Sequence, residues 1–499
     1  MLPSPNDLLI ALRSLWPTAT FPSTLPPLPD RVRLVMDSRC VSQGDVFVAV
    51  AGTQYDGREY IEAALAAGAA LVLAHVKSGE VKVDGCVIQL PHLGMRLGEL
   101  GQVLYKVADS LDVMAVTGTN GKSSVTHYIA ALSEQLGTSA GVVGTLGVGR
   151  RGALVDSGLT TPGPLALQAR LAELAEQGVT RIALEASSHA LDQQRLDAVN
   201  VKVGVFTNLS RDHLDYHGSM AAYAAAKAKL FRRAELTLAV VNADDPLARL
   251  MLAGCSKDVR VLAIGQDEAV TLRVLDWQPH ALGQQAMVAT PEGEMGLSLA
   301  LMGRFNLDNV LLAMATLYGL GEPLSSLFAA AEKLLPVPGR MQLICQSGSP
   351  GVVIDYAHTP DALDNALQAL HAHLGDQGAL WCVFGCGGER DTGKRVQMAR
   401  VVEQYADKVV VTDDNPRGES AAQIREQILA GFTPEARENV LSIAGRREAI
   451  AQVLALAAPE DVVLIAGKGH ETYQEVDGVR HPYSDDEQVQ QALARRRAS

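Results

Sequence analysis

The feature that most constrains the fold is the sequence TGTNGKSS at residues 117–124, which lies between a predicted strand and a predicted helix. The four residues before it, 113–116, form an apolar run typical of a buried strand. A glycine-rich turn between a strand and a helix presents backbone N–H groups and the positive end of the helix to a phosphate group. The stretch therefore predicts a nucleotide-binding loop. Apolar residues recur after it at the spacing of one helix face, at Val125, Ile129, Leu132 and Leu136.

Two side chains of this loop have specific predicted roles. Lys122 would neutralise the terminal phosphates of the nucleotide, and the Ser123 hydroxyl would ligate Mg²⁺. The general pattern has glycine six residues before the lysine, where this chain has Val116, so an ordinary strand-to-helix turn is the alternative. The flanking strand and helix favour the nucleotide site. Its predicted ATP-binding residues are Gly118, Thr119, Asn120, Gly121, Lys122, Ser123 and Ser124.

Length, charge and cysteine content limit the class of protein. A chain of 499 residues is too long for a single core and predicts about three domains. The formal net charge of −13 argues against a nucleic-acid-binding protein. No apolar run is long enough to span a bilayer, and the N-terminus lacks the basic segment of a signal peptide, so no membrane insertion is predicted. Scattered cysteines indicate reduced thiols in the cytoplasm, with Cys382 and Cys386 buried as small apolar side chains rather than bound to zinc.

The pattern of strands and helices divides the chain at residues 108 and 336. Residues 1–108 contain short strands near 46–50 and 71–73 and one alanine-rich helix near 60–67. Residues 109–336 alternate strands and helices, which predicts a mostly parallel, doubly wound sheet. Prolines at positions 336 and 338 mark a linker, and residues 337–499 show a second alternation of the same kind. The predicted fold class is α/β.

Polar side chains near the ends of two further predicted strands suit a divalent metal. Glu185 ends one strand, and His213 follows another. Mg²⁺ prefers oxygen ligands, so Glu185 is the natural ligand and His213 the less usual one. A helix-capping carboxylate for Glu185 and a surface loop position for His213 remain the alternatives. Lys227 lies in an alanine-rich helix, and its spacing alone predicts a solvated lysine.

Three loops after strands of the last segment mix basic and acidic side chains. One contains Arg390, the second has the sequence DNPR at residues 414–417, and the third has GKGHE at residues 467–471. Parallel strands place their carboxyl ends at one edge of a sheet, so these loops are predicted to meet. Arginine offers a planar fork for a carboxylate. A pocket for a zwitterion is therefore favoured over a set of ordinary loops with surface ion pairs.

Together these sequences resemble the Mur ligases of peptidoglycan synthesis over essentially the whole chain. The family usually has GKTT where this chain has GKSS, and a hydroxyl remains at both positions, so the expected metal ligation is retained. The shared sequences, in chain order, are TGTNGKSS (117–124), EASSH (185–189), NLSRDHLDYH (208–217), GRFN (303–306), PGR (338–340), DYAHTP (355–360), DNPR (414–417) and GKGHE (467–471).

The resemblance implies a domain for each substrate. An N-terminal UDP-binding domain at 1–108, a central P-loop ATPase domain at 109–336 and a C-terminal Rossmann-like domain for the amino acid at 337–499 are expected. The residues implied to contact the uridine end are Ser38, Thr53, Gln54 and Tyr55. Those for the muramoyl-dipeptide are Thr160, Thr161, Ser187, Gln193 and Arg195, and those added to the ATP site are Asn306, Arg340 and His358. Those for the amino acid are Arg390, Asp414, Asn415, Pro416, Arg417, Gly467 and Glu471.

The resemblance also reverses the expectation for Lys227, because this position aligns with a lysine that the family carries as a carbamate. The implied metal ligands are Ser123, Glu185, His213 and this carbamate, which would bind a second Mg²⁺ beside the γ-phosphate. The implied catalytic residues are Lys122, Lys227 and His213.

The activity implied by the resemblance is ATP-dependent ligation of an amino acid to UDP-N-acetylmuramoyl-L-alanyl-D-glutamate by a monomer, through an acyl phosphate. meso-Diaminopimelate differs from lysine by a distal carboxylate, with which Arg417, helped by Arg390, can pair. Diaminopimelate is therefore predicted, and a lysine-adding Mur ligase is the alternative. Folylpolyglutamate synthetase ranks lower because it lacks the N-terminal domain and the DNPR sequence. A nucleotide-driven switch or transport ATPase would leave the C-terminal loops without a role.

Overall fold

The computed structural model describes residues 2–52, 55–374, 378–389 and 391–498, and within them the strands form three sheets in chain order and one separate hairpin. The α/β class is confirmed. The predictions for Thr53, Gln54 and Arg390 lie outside the described residues. In the ranges given, no helix has the length and apolar character needed to cross a membrane.

The N-terminal sheet has five strands in the order β1-β2-β3-β5-β4, all parallel except β4. Strands are expected near 46–50 and 71–73 and are found there. The strands are β1 Leu34–Val35, β2 Val46–Ala49, β3 Leu71–Val76, β4 Lys82–Asp84 and β5 Val87–Pro91, and the helices are α1 Pro5–Leu15, α2 Ile61–Ala66 and α3 Leu97–Tyr105.

The predicted alanine-rich helix is present as α2, and the segment also contains α1 and α3, which were not predicted. Helix α1 begins with a capping box, in which Ser4 Oγ accepts a hydrogen bond from the Asp7 N–H and the Asp7 carboxylate accepts one from the Ser4 N–H. Such a cap stabilises a helix by about 1 kcal/mol. Pro5 is compatible with this helix start, because proline is favoured in the first turn of a helix.

The central sheet has eleven strands in the order β16-β15-β14-β13-β12-β11-β6-β10-β7-β8-β9. The strands are β6 Asp112–Thr117, β7 Ala140–Gly144, β8 Gly147–Arg150, β9 Ala153–Val155, β10 Arg181–Glu185, β11 Val201–Phe206, β12 Leu238–Asn242, β13 Arg260–Gly265, β14 Leu272–His280, β15 Gly283–Thr290 and β16 Gly293–Leu299. The helices are α4 Lys122–Gln135, α5 Pro164–Glu176, α6 Ser188–Asp192, α7 Leu214–His217, α8 Met220–Ala228, α9 Ala248–Leu252, α10 Arg304–Gly319 and α11 Leu324–Ala331.

The middle of this sheet, from β7 to β14, is parallel as predicted, and both of its edges are antiparallel. At one edge β14, β15 and β16 form a meander, and at the other β7, β8 and β9 do the same. These edges were not predicted. Apolar clusters cover both faces of the sheet, one under α4 and α10 and one under α5 and α8. Each fully buried Val or Leu contributes about 1.5–3 kcal/mol, so the loops at the sheet's carboxyl edge rest on a rigid base.

The C-terminal sheet has six strands in the order β17-β18-β22-β19-β20-β21, all parallel except β17. The strands are β17 Gln342–Ile344, β18 Gly351–Asp355, β19 Leu380–Phe384, β20 Lys408–Val411, β21 Leu441–Ser442 and β22 Val462–Ala466, followed by the hairpin of β23 Tyr473–Val476 and β24 Val479–Pro482. The helices are α12 Pro360–His373, α13 Gly393–Tyr405, α14 Ala421–Leu429, α15 Pro434–Arg437, α16 Arg446–Leu456 and α17 Asp485–Ala498.

Parallel pairing in this sheet sets the position of its functional loops. Strands β18, β22, β19 and β20 are adjacent, and each of them runs into a loop with charged side chains at the carboxyl edge. Cys382 on β19 and Cys386 just after it are buried, as expected of small apolar side chains.

Candidate active site

The phosphate loop connects β6 to α4, as predicted. Gly118 and Gly121 both have positive φ, +150° and +85°, a conformation that glycine adopts without strain. A Cβ on Gly118 would overlap the Thr207 side chain, and a Cβ on Gly121 would lie 2.5 Å from Asn309 Oδ1. Both glycines are therefore required by close packing as well as by the turn. Asn309, on α10, braces the loop and was not predicted from sequence.

The loop opens into a cavity of about 600 Å³ that lies between the central and C-terminal sheets. Fifteen of the predicted site residues line it. They are Thr119, Asn120, Gly121, Lys122, Ser123, Ser124, Thr160, Thr161, Glu185, Ser187, Arg195, His213, Lys227, Arg340 and His358. Sequence reasoning missed other lining residues, among them Thr145, Asp212, Tyr223 and Asn309 from the central part and Tyr356 and Asn365 from the C-terminal part.

Glu185 points into this cavity and does not cap a helix. Its side chain accepts hydrogen bonds from the N–H (2.9 Å) and the hydroxyl (3.2 Å) of Thr145. The cap of α6 is Ser187 instead, whose Oγ accepts from the Ala190 N–H. The capping alternative for Glu185 is therefore wrong. Its buried carboxylate lies beside the phosphate loop, where its oxygens could ligate a metal ion.

Lys227 is buried, with 1% of its surface exposed, so the expectation of a solvated lysine from spacing alone is wrong. Its Nζ donates a hydrogen bond to the Gly118 carbonyl (2.6 Å) and lies 4.5 Å from the centre of the Tyr223 ring. Lys122 Nζ donates to the same Gly118 carbonyl (3.0 Å) and to that of Thr119 (2.8 Å). Burial, and then the nearby charge of Lys122, lower the pKa of Lys227 well below its ordinary value. The buried site therefore favours the neutral form of this amine more than water does.

His213 lies in a group of aromatic rings at the rim of the cavity. It has a positive φ of 52°, its Nε2 lies 3.4 Å from Asp212 Oδ2, and its ring centre is 4.8 Å from that of His189. His217 Nε2 is 3.0 Å from Ser188 Oγ. The left-handed backbone of a non-glycine residue is a strained conformation that occurs most often at functional sites.

The residues predicted for the UDP substrate separate into two places. Arg195 Nη1 donates to the Thr161 carbonyl (2.7 Å), and its other nitrogens donate to Gln193 Oε1, so these residues form one patch at the cavity. Ser38 instead begins a short 3₁₀ turn in the N-terminal part, and Tyr55 is 72% exposed. Neither of these two lines the cavity.

Among the residues added to the ATP site, Asn306 is placed behind the wall of the cavity. It is 1% exposed, and its Nδ2 donates to the Met302 carbonyl (2.8 Å). Arg340 lines the cavity and stacks over the Tyr356 ring at 4.5 Å. His358 Nδ1 lies 2.7 Å from the Tyr356 carbonyl oxygen.

The described members of the predicted amino-acid site, Asp414 to Arg417, Gly467 and Glu471, gather at the carboxyl edge of the C-terminal sheet, outside the lining of the large cavity. The DNPR loop after β20 and the GKGHE loop after β22 are in direct contact, since Asn415 Nδ2 donates to Glu471 Oε2 (2.9 Å). A Cβ on Gly467 would lie 2.7 Å from Asp414 Oδ2, so glycine permits this approach. Burial raises the pKa of Asp414, but the charges of Lys468 and Arg446 outweigh this and hold it below its ordinary value.

Arg417 presents a guanidinium at this edge. Its Nη1 donates to the Gly388 carbonyl (2.7 Å), and its Nε lies 3.7 Å from Glu475 Oε2. Its backbone has a positive φ of 53° and pairs with the strand at Val476. Among the described residues no hydrogen bond uses Nη2, so this nitrogen of the planar fork has donor capacity for a ligand. This arrangement suits recognition of a carboxylate.

Acid is expected to destabilise the nucleotide-binding domain through His127 on α4. Burial, then the charges of Arg151, Arg340 and His470, lower the pKa of His127 to about 4. The unfolded chain takes up this proton near pH 6.5, so stability is full above that pH and falls towards pH 4. We expect the free energy of unfolding to be about 2 kcal/mol lower at pH 5 than at pH 7.5 from this group. Urea unfolding at both pH values measures it, and His127→Leu is expected to lose this part of the pH dependence. An unchanged dependence in the variant would contradict the assignment.

A strand, phosphate loop and helix beside a second α/β sheet define a nucleotide-binding α/β protein. The chain belongs to the Mur ligase family. Its models match in three parts, described as "Mur ligase family, catalytic domain" over residues 33–102, "Mur ligase middle domain" over 116–317 and "Mur ligase, glutamate ligase domain" over 339–469.

Individual relatives match along nearly the whole chain. A Pseudomonas aeruginosa protein described as UDP-N-acetylmuramoyl-L-alanyl-D-glutamate–2,6-diaminopimelate ligase is 48% identical over 465 residues, which cover 92% of this chain and 94% of the relative. A Xanthomonas campestris protein with the same description is 46% identical, over 92% of this chain and 93% of the relative. A solved structure with that description has a TM-score of 0.69 and 37% identity, and covers 94% of this chain and 95% of its own.

Proposed function

We propose that this protein joins meso-diaminopimelate to UDP-N-acetylmuramoyl-L-alanyl-D-glutamate and converts ATP to ADP and phosphate. The observation that carries this proposal is the contact between the DNPR loop, which bears the Arg417 guanidinium, and the loop of Glu471, since Asn415 Nδ2 donates to Glu471 Oε2. A cation and a carboxylate on two contacting loops suit the distal zwitterion of diaminopimelate. The descriptions of the relatives support the same activity.

The three sheets support three proposed domains: residues 1–108 for the UDP moiety, 109–336 for ATP and 337–499 for the amino acid. The patch of Thr160, Thr161, Ser187, Gln193 and Arg195 would hold the muramoyl-dipeptide, so that its glutamyl carboxylate reaches the phosphate loop. ATP is most abundant in the cytoplasm, which is the proposed location.

In the first step a γ-carboxylate oxygen of the D-glutamyl group attacks the γ-phosphorus of ATP, and the bond from phosphorus to the bridging oxygen breaks to release ADP. Lys122 and the N–H groups at the start of α4 face the developing negative charge and offset it. Arg340, at the opposite wall of the cavity, adds a second cation.

The donor set at the cavity fits Mg²⁺ if Lys227 is carbamylated, because Ser123, Glu185 and the carbamate then supply oxygen ligands and His213 one nitrogen. In the described ranges, no three His, Cys, Asp or Glu side chains group closely enough to hold a metal ion. The metal is therefore expected to bind together with the nucleotide phosphates. When bound, it would neutralise charge on the transferred phosphoryl group.

In the second step the amine of diaminopimelate attacks the carbonyl carbon of the acyl phosphate. The tetrahedral intermediate then releases phosphate, the amine loses a proton, and the amide remains. Arg417 and Glu471 would fix the distal end of the amino acid, so that only one amine reaches the reacting carbon. An acyl phosphate hydrolyses readily, so the cavity between the two sheets must exclude water during this step.

Phosphate release from ATP tests the proposal. We expect rapid release only when both the UDP-linked dipeptide and diaminopimelate are present, with a ligated product of the matching mass. Each substrate omitted alone serves as the control. ATP turnover without the two acceptors would indicate a nucleotide-driven switch and contradict the proposal.

A further inference from the structure

Lys468, in the loop after β22, is a buried cation that the proposed mechanism does not use. Its side chain is 0% exposed, and its Nζ donates to Asn415 Oδ1 (2.9 Å) and Glu471 Oε2 (2.8 Å). Removing an ammonium from water costs several kcal/mol unless hydrogen bonds and an opposite charge compensate. Because the ammonium has no exposed surface, it cannot touch a substrate, and any effect on catalysis must act through the groups around it, namely its hydrogen-bond partners Asn415 and Glu471 and the nearby carboxylate of Asp414.

The two partners of Lys468 also contact each other, which closes a triangle. Asn415 Nδ2 donates to the same Glu471 Oε2 (2.9 Å), and Asn415 Oδ1 accepts a second hydrogen bond from the Glu475 N–H (3.0 Å). Both internal bonds to Glu471 use Oε2, and Oε1 takes part in no hydrogen bond among the described residues. The triangle therefore fixes the rotamer of Glu471 and leaves one oxygen for an outside donor.

The same triangle holds the backbone that carries Arg417. Two residues after Asn415, the Arg417 N–H donates to the Glu475 carbonyl (3.0 Å), and the Arg417 carbonyl accepts from the Asp477 N–H (2.7 Å). Arg417 is in the left-handed region, which a non-glycine residue keeps only when its surroundings enforce it. The DNPR loop is thus held by backbone hydrogen bonds between Arg417 and the β23 hairpin, and by the hydrogen bond from Lys468 to Asn415.

We propose that Lys468 is the positioning residue for the diamino acid: it fixes Glu471 and the DNPR loop together, and so sets the spacing between the Glu471 carboxylate and the Arg417 guanidinium. This inference rests on the proposed function. Selection of diaminopimelate over lysine then depends on a residue that contacts neither amino acid. The network of charge-assisted hydrogen bonds fixes the positions of the side chains that would bind the amino acid. Residues that hydrogen-bond to the ligands of a metal site act in the same way.

The test is steady-state kinetics of Lys468→Met, which retains the length of the side chain and removes the ammonium. We expect KM for diaminopimelate to rise roughly 10- to 100-fold and the preference over lysine to fall, because two charge-assisted hydrogen bonds are lost. KM for ATP and for the UDP-linked dipeptide should stay within about twofold, since the side-chain hydrogen bonds of Lys468 go to Asn415 and Glu471, neither of which lines the cavity. Lys468→Gln keeps one donor group, so its KM for diaminopimelate should lie between those of the wild type and Lys468→Met. It also provides a second variant if Lys468→Met does not fold.

Asp461→Asn is the matched control. Asp461 is also a buried ionisable residue. It lies just before β22, whereas Lys468 lies just after it, so the two residues are at opposite ends of the same strand. Its carboxylate accepts from Trp381 Nε1 (2.8 Å), and the variant should lose stability without a change in KM for diaminopimelate. Wild-type KM and preference in folded Lys468→Met would overturn the inference, as would an equal rise in KM in the control. A wild-type enzyme that does not ligate diaminopimelate would instead overturn the proposed function.

Discussion

Lys227→Ala is expected to reduce the ligation rate roughly 10²- to 10³-fold, the range found when one electrostatic group at a transition state is removed. The wild-type amine is buried beside Lys122 and Gly118, and its pKa is lowered by burial. An uncharged amine adds CO₂ by forming an N–C bond and releasing one proton, which gives a carbamate anion. The anion would turn a buried cation into an oxygen ligand next to Glu185 and Ser123.

Short carboxylic acids separate the carbamate from other roles of Lys227. Formate or acetate can enter the space left in Lys227→Ala and supply the missing anionic oxygens, so added carboxylate is expected to restore part of the rate. Lys229→Ala is the matched control: this lysine is two residues further, is 46% exposed at its side chain and pairs with Asp192 at 2.7 Å. The control should retain activity within about twofold. Full activity in Lys227→Ala, or a loss that no carboxylate restores, would contradict the carbamate.

Arg417→Ala is expected to abolish most of the preference for diaminopimelate over lysine. The distal carboxylate would lose a charge-assisted pair worth about 3 kcal/mol, so kcat/KM for diaminopimelate should fall roughly 100-fold. Lysine lacks that carboxylate, and its own kcat/KM should change little. Competition between the two amino acids at equal concentration, with the products separated by mass, measures the ratio directly.

Arg417→Lys tests whether the planar fork matters beyond its charge. Arg417 donates to the Gly388 carbonyl through Nη1, and Nη2 makes no hydrogen bond among the described residues; an ammonium cannot keep the first bond and offer a second donor with the same planar geometry. We expect intermediate discrimination in this variant. If Arg417→Ala discriminates against lysine to the same degree as the wild type does, Arg417 does not select the substrate. Arg417 would then no longer argue against a lysine-adding ligase.

Predictions from the sequence were most successful where local pattern alone defines the structure. The phosphate loop, the central parallel strands and the loops of the C-terminal sheet lie where strand, glycine turn and helix signals place them. The antiparallel edges of the central sheet were missed because β14 and β15 pair with each other through a hairpin, which strand-and-helix alternation does not include. Helix α1 was missed although its start carries a capping box and a proline in the first turn, both of which are local signals.

The sequence by itself determined which chemistry the chain carries, because a phosphate loop and an arginine-bearing loop depend on residues that are close neighbours along the chain. Only the tertiary structure decided which side chains are desolvated and which meet. Helical spacing leaves Lys227 equally able to face water, and Asn309 reaches Gly121 from a helix far along the chain. Lys468 is a similar case, since its ammonium donates a hydrogen bond to Asn415 Oδ1, more than fifty residues away, in addition to its ion pair with Glu471. Burial and long-range contacts arise from packing between elements, and it is this packing that turns an ordinary lysine into a functional group.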